Sequence, residues 1–250
     1  MTIKDHLEEN HAHSSAKYLK NIVYGGIDGI ITTFSIIAAA YGANLDIRYI
    51  ITMGFANLIA DAFSMGYGDF ISTKFENEYI LKEKYREEQE FINNKEYEIQ
   101  EMIELYQSEG FEIDDSNKIV DILVSKDKYI PFFIKRMVFM ELGLDVPEKN
   151  YIIENRKHSL VTFLSFLIFG FVPVLFYIIM FAISYEENDV IFIIDCFITL
   201  LTIFSLGIFQ AIITNQSKLM GGLILSFNSI ISTSIAFSIG YGLEYLIIHN

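Results

Sequence analysis

The sequence has no tryptophan, one cysteine and three prolines in 250 residues. A lone thiol, Cys196, excludes an intrachain disulfide framework and any CxxC metal motif. Lys and Arg number 18 against 32 Asp and Glu, a formal charge of −14. That sign excludes a nucleic-acid surface, which is built on cationic contacts to phosphate. The opening MTIKDHLEENHAHSSAKYLKN lacks the basic-then-apolar pattern of a signal peptide, so the first apolar segment is expected to be retained.

What the chain does have is long apolar runs. Hydrophobic residues make up 52% of it, and they gather into stretches of the length a helix needs to cross a bilayer. Five spans are predicted, at 22–43, 49–71, 160–184, 190–214 and 219–248. Runs this long mean helices and not barrel strands. Five spans put 1–21, 73–157 and 215–218 on one side, and these segments hold 17 of the 18 Lys and Arg residues. Only Arg48 falls on the other side. The positive-inside rule makes the first set cytosolic and the C-terminus lumenal. The expected fold is therefore an all-α integral membrane protein with five transmembrane helices. It divides into a cytosolic tail (1–21), helices one and two (22–72), a cytosolic acidic three-helix domain (73–157) and helices three to five (158–250).

The second span contains ANLIADAFSMGYGDF, where Asn57, Asp61, Met65 and Asp69 recur every four residues. The first span contains Asp28. A charged residue at bilayer depth costs about 2.5–3.5 kcal/mol on insertion scales. The first two spans contain no Lys, Arg or His, and Arg48 sits in their short connection. A bound cation or a proton is the natural partner for Asp28 and Asp61. Two bland alternatives stand beside this: Asp69 near the interface needs no partner, and Asp28 or Asp61 is protonated and structural. Asp195 and Glu244, near the ends of spans four and five, read as interfacial. Small residues, among them Gly25, Gly29, Ala56, Ala60, Ser64, Gly66 and Gly68, suit close helix approach, either within the chain or in a homodimer. The Gly- and Ser-rich last span suits packing or a polar path equally.

The middle segment carries 20 of the 32 acidic residues and no His. It reads as one helix running on from the second span to a C-cap at Gly110, a second around Ile119, Ile122 and Leu123, and a third ending near Gly143 with Pro147 beyond. Glu87 and Glu90 share a helix face, as do Glu98 and Glu101, and Met137 and Glu141. Such faces are either solvated or metal-binding; hard oxygens suit Mg²⁺, Ca²⁺, Mn²⁺ and Fe²⁺, and a thioether adds preference for softer metals.

Several motifs together resemble the vacuolar iron transporters, the group of the plant and yeast vacuolar iron and manganese importers. They are GGIDGIITTFSIIAAAYGA, FANLIADAFSMGYGDFISTK, REEQEFI, MELGL and GFVP at Gly170–Pro173. The resemblance covers nearly the whole chain. It implies a homodimer of five-helix subunits, with no resident cofactor, that moves Fe²⁺, and often Mn²⁺, out of the cytosol in exchange for protons. The destination is a vacuole or another acidic endomembrane compartment, the endoplasmic reticulum included. It implies metal ligands at Glu87, Glu90, Glu98, Glu101, Met137 and Glu141, and a membrane path through Asp28 and Met65. The chain departs from the plant pattern at Val138, where a second Met is expected, and at Asn57, where a Glu is expected. It also has Lys17 and Asn21 where acidic residues precede the DG motif. Asp61 is placed to supply the missing carboxylate. The Ile, Asn, Lys and Tyr bias is that of an AT-rich genome, as in protozoan parasites. A membrane-anchored, ferritin-like metal store or sensor is the alternative, and the lack of any Glu-x-x-His pair speaks against oxidase chemistry.

Overall fold

Every regular element among the described residues, 18–185 and 187–248 of a computed structural model, is helical. The tail up to residue 17, with Lys17, lies outside them. Eight α-helices follow in order: α1 (Leu19–Gly42), α2 (Ile47–Asn93), α3 (Lys95–Ser108), α4 (Ile113–Val124), α5 (Ile130–Leu142), α6 (Tyr151–Ala182), α7 (Asn188–Ile213) and α8 (Lys218–Ile248). A single 3₁₀ turn, Asp127–Tyr129, precedes α5. The chain divides into two compact units, Ile71–Asn155 and the remainder on either side of it.

Four helices, α1, α6, α7 and α8, are long and apolar enough to cross a membrane. The first part of α2 carries Asp61 and Asp69 and is not among them. Their unit is inverted relative to a soluble protein. Large apolar side chains such as Phe197, Leu201, Phe227 and Ile168 stand on its outside, while Thr33, Ser159, Thr162, Asp195 and Thr199 are buried inside. Without a hydrophobic drive between helices in lipid, association depends on close packing. The backbones meet at glycines. A Cβ on Gly25 would lie 2.6 Å from the Thr162 carbonyl oxygen, and one on Gly29 would overlap the backbone of Phe166. The Gly25–Gly29 pair thus packs α1 against α6 within one subunit. Apolar clusters flank this seam, one joining Phe34, Ile37, Ile50, Val174, Tyr177 and Ile191, and another joining Leu58, Ala62 and Phe166.

The middle unit has its own core of Phe91, Met102, Ile103, Tyr106, Val120, Phe133, Ile134 and Met137. The expected helix up to Gly110 is not continuous. It breaks at Asn94 (φ −135°, ψ 46°), where α2 ends and α3 begins. Two successive asparagines are weak helix formers, and Glu96 and Glu98 in the first turn of α3 favour a new N-terminus there. The left-handed residues Gly110 and Gly143 close α3 and α5 as expected.

The glycine seams predict a contrast between two conservative changes. On Gly207→Ala the new methyl would meet the Gly221 carbonyl at 2.5 Å and the Gly222 Cα at 2.7 Å, both backbone atoms. It is expected to cost about 1–3 kcal/mol as overpacking. Gly242→Ala meets nothing within 4 Å and is expected to be neutral or to gain up to about 1 kcal/mol from helix propensity. Melting curves of the purified protein in detergent would separate the two; equal melting temperatures would contradict the seam.

Candidate functional site

The helix-rich unit holds a cavity of about 640 Å³ between α1, α2 and α8. Asp28, Thr32 and Ser35 line it from α1, Asn57 and Asp61 from α2, and Asn228 and Ser232 from α8. The residues from α1 recur at i, i+4 and i+7, one helix face, while the glycines on a neighbouring face hold α1 against α6. Packing therefore fixes the direction in which Asp28 points. Asp28 and Asp61 lie within electrostatic reach of each other, and among the described residues no Lys, Arg or His lines the cavity. Asn57 Nδ2 donates to Asp61 Oδ2 at 2.6 Å, which orients that carboxylate. The Thr32 hydroxyl donates to the Asp28 backbone carbonyl at 2.6 Å. Oxygen atoms from carboxylates, amides and hydroxyls converging on one hollow form a hard donor set suited to a divalent cation.

The four-residue stripe on α2 does not stay on this cavity. Four residues advance a helix by about 400°, so each step drifts by about 40°. Met65 turns out of the lining and packs, half-buried, against Leu58, Ala62 and Phe166. Asp69, three steps on, sits in a separate polar knot. It accepts hydrogen bonds from Ser159 Oγ (3.0 Å), Thr162 Oγ1 (3.3 Å) and Asn21 Nδ2 (3.4 Å). Asn21 also donates to Thr162 (2.7 Å) and accepts from His158 Nδ1 (2.8 Å), which assigns that tautomer. Asn21, a departure from the plant pattern, is thus the hub of the knot. Asp195, near one end of its span, is fully buried within the bundle, at 0% exposure.

Sequence reasoning left the last span undecided between packing and a polar path. Asn228 and Ser232 settle part of that by lining the cavity four residues apart, while Gly221 and Gly222 of the same helix pack on α7. Thr32 and Ser35 were hidden in a run of hydroxyl residues with no periodic signal of their own.

In the middle unit, Glu87 is completely buried and Glu98 nearly so. Arg86 reaches three carboxylates from α2 itself: Glu83 at 2.7 Å, Glu87 at 3.1 Å and Glu90 at 3.6 Å. The hydrogen bond to Glu87 is the main cause that raises the guanidinium pKa. Glu98 is held above the usual carboxylate range by burial, then by the charges of Glu101, Glu87 and Glu90. Glu141 is pushed up to about 7 by burial, then by Glu87 and Glu101, by a hydrogen bond to Glu87 and by Glu98. A carboxyl can hydrogen-bond another carboxylate only when one of the pair carries a proton. Five glutamates from α2, α3 and α5 thus act on one another. Among the described residues no three His, Cys, Asp or Glu side chains close into a metal cage, and Met137 lies in the apolar core at 1% exposure. The carboxylates are gathered but not converged.

Comparison with known proteins gives one consistent picture. The sequence model of the VIT family matches residues 19–241. The vacuolar iron transporter of Toxoplasma gondii is 34% identical, over 97% of this chain and 80% of the relative. That of Plasmodium falciparum is 34% identical, over 94% and 85%, and vacuolar iron transporter 1 of Arabidopsis thaliana is 26% identical, over 94% and 90%. The protozoan kinship expected from composition is therefore present among the relatives. With four membrane-length helices and a carboxylate-lined cavity between α1, α2 and α8, the chain belongs to the VIT family, a family of membrane transporters and not of enzymes.

Proposed function

We propose that this chain moves Fe²⁺, and Mn²⁺ with it, from the cytosol into an acidic vacuole-like compartment in exchange for protons. One observation carries this reading: Asp28 and Asp61 are neighbours in a cavity between α1, α2 and α8 that no basic residue among those described lines. Two carboxylates so placed repel each other unless a cation or a proton lies between them. The names of the relatives supply the metal and the organelle.

In this reading the first part of α2 is the fifth span. Its charge is tolerated because Asp61 faces the cavity and Asp69 is hydrogen-bonded. Residues 1–21 and 73–157 face the cytosol by the distribution of Lys and Arg, and the C-terminus faces the lumen. The working form is a homodimer. Ala56, Ala60, Ser64 and Gly68 stand exposed at four-residue intervals on α2, beside the cavity residues Asn57 and Asp61, and such a stripe fits close approach of a second copy.

Each residue then has a role. The middle unit collects metal through Glu87, Glu90, Glu98, Glu101 and Glu141. Arg86 holds the crowded carboxylates together until the ion replaces it, and Met137 offers a thioether one turn before Glu141 when the core opens. Asp28 and Asp61 take the partly dehydrated ion in the membrane, and Asn57 keeps Asp61 oriented. Met65 contributes a thioether from the adjoining turn, and Asp69 anchors the cytosolic ends of α1, α2 and α6. Protons arriving from the lumen compete for the carboxylates and release the metal, because metal ligands must be deprotonated.

Two outcomes are expected. Asp28→Asn and Asp61→Asn are each expected to lower Fe²⁺ uptake into acid-loaded proteoliposomes at least about tenfold, while Met65→Leu, which conserves volume, separates its thioether from its packing. Wild-type uptake in both aspartate variants would sink the proposal. The second outcome concerns pH. With Glu141 raised from 4.5 to about 7, its stabilising contribution to the metal-free unit is complete below pH 4.5 and is lost as pH rises through about 7. Metal binding reverses that loss. In the Asp28→Asn/Asp61→Asn background, Mn²⁺ affinity is expected to fall about tenfold per pH unit below about 7. Glu141→Gln should flatten that slope; calorimetric titration at several pH values measures it.

A further inference from the structure

A second carboxyl site lies inside the helix bundle, apart from the cavity of Asp28 and Asp61. Asp195, on α7, is at 0% exposure, and neither of its oxygens has a hydrogen-bond partner among the described residues. Thr199, one turn further along α7, is equally buried, and its hydroxyl also lacks a partner. Tyr177, on α6, is within electrostatic reach of Asp195, and its hydroxyl is buried and unpartnered too. From α1 comes Thr33, buried with an unpartnered Oγ1. The register of α1 on α7 puts it at the same level. Phe34 stacks on Phe192 with centroids 6.1 Å apart, and Ile30 packs with Ile203, so Thr33 falls between these contacts.

Four buried polar side chains from three helices without partners are a costly arrangement. Each such group forfeits the desolvation of an unmade hydrogen bond, and a charge forfeits more. Among the described residues no basic group acts on Asp195. The titratable groups within its electrostatic reach are Tyr177 from α6 and Cys196 on its own helix; from α8, Phe237 packs between Tyr41 of α1 and Tyr241. Tyr41 already donates to Asp189 at 2.7 Å, so the other acidic residue at this end of α7 is satisfied. The surroundings are otherwise Phe34, Ile37, Val174 and Ile191.

We infer that Asp195, with Tyr177, Thr199 and Thr33, is a binding site for one proton, on the opposite side of α1 from the metal cavity. A proton needs one acceptor and no coordination shell. On Asp195 it removes the charge that burial without a counter-charge or hydrogen bond penalises. Thr32 lines the metal cavity while the adjacent Thr33 lies outside its lining, buried and with its hydroxyl unpartnered. Successive helix residues point about 100° apart, so α1 stands between the two carboxyl sites. A shift of α1 that opens one alters the other, and this couples proton occupancy to metal occupancy. The inference rests on the proton-coupled reading above and names where the exchanged proton is held.

The test uses the full-length protein in proteoliposomes and two assays: Fe²⁺ uptake driven by an acidic interior, and exchange of internal Mn²⁺ for external Fe²⁺ at equal pH. Asp195→Asn, which mimics the neutral acid, is expected to keep exchange at the wild-type rate and to lose gradient-driven uptake about tenfold. Tyr177→Phe should keep exchange and move the lumenal pH of half-maximal uptake by about half a unit. Gradient-driven uptake in Asp195→Asn equal to wild type overturns the inference alone. Loss of exchange as well assigns Asp195 a structural role and overturns it too. Should Asp195→Asn fail to fold, an unmoved midpoint in Tyr177→Phe overturns it. Wild-type uptake indifferent to the pH gradient defeats the proton-coupled reading itself, and the inference with it.

Discussion

Negative charge with little positive charge beside it among the described residues is the constraint on which the rest of this molecule depends. Asp28 and Asp61 share a hollow that no described basic residue lines, and in the middle unit five glutamates act on one another while one guanidinium reaches only Glu83, Glu87 and Glu90. In a soluble protein such groups would be spread over a wet surface, where repulsion is screened. Here they are held together by the packing of helices, and the repulsion is a standing capacity for a cation. The fold makes that capacity specific by position: the glycine seam between α1 and α6 fixes the rotation of α1, and the rotation of α1 aims Asp28.

Much of this was legible in the sequence because it depends on composition over long windows. Long apolar runs mark the membrane helices, and an acidic, His-free stretch marks a second unit with its own core. The charged pairs Glu87–Glu90 and Glu98–Glu101 were readable because i, i+3 spacing puts residues on one face whatever the tertiary structure. Asp28, Asn57 and Asp61 were found because a polar residue in an apolar run is conspicuous, and all three line one cavity.

What escaped the sequence depends on small rotations and on partners far along the chain. Met65 and Asp69 belong to the same stripe by counting, but the drift of a 3.6-residue helix over three steps carries them to other neighbours. Asp195 lies five residues from the N-terminal residue Val190 of its predicted span, so counting alone gave its place along the helix but not its burial, which depends on the neighbouring helices. The break at Asn94 is a local event at two successive asparagines, and the favourable propensities on either side mask it. Gly25 and Gly29 could have served a dimer or the subunit, and the answer depended on Thr162 and Phe166, more than 130 residues away.

The membrane carboxylates differ in how much positive charge each still requires, and that difference orders their roles. Asp69 has donors from three side chains, so its charge is largely answered by dipoles and an ion would have to displace them. Asp61 has one donor, Asn57, enough to set its direction without answering its charge. Asp28 has the like charge of Asp61 as its neighbour, so a cation in the cavity relieves both at once. Asp195 has neither donor nor solvent and suits only the smallest positive charge. In the proposed reading a carboxylate's hydrogen bonds therefore order its role: the fully bonded Asp69 holds helices together, the partly bonded Asp61 with Asp28 is left to answer a metal, and the unbonded, buried Asp195 is left to a proton.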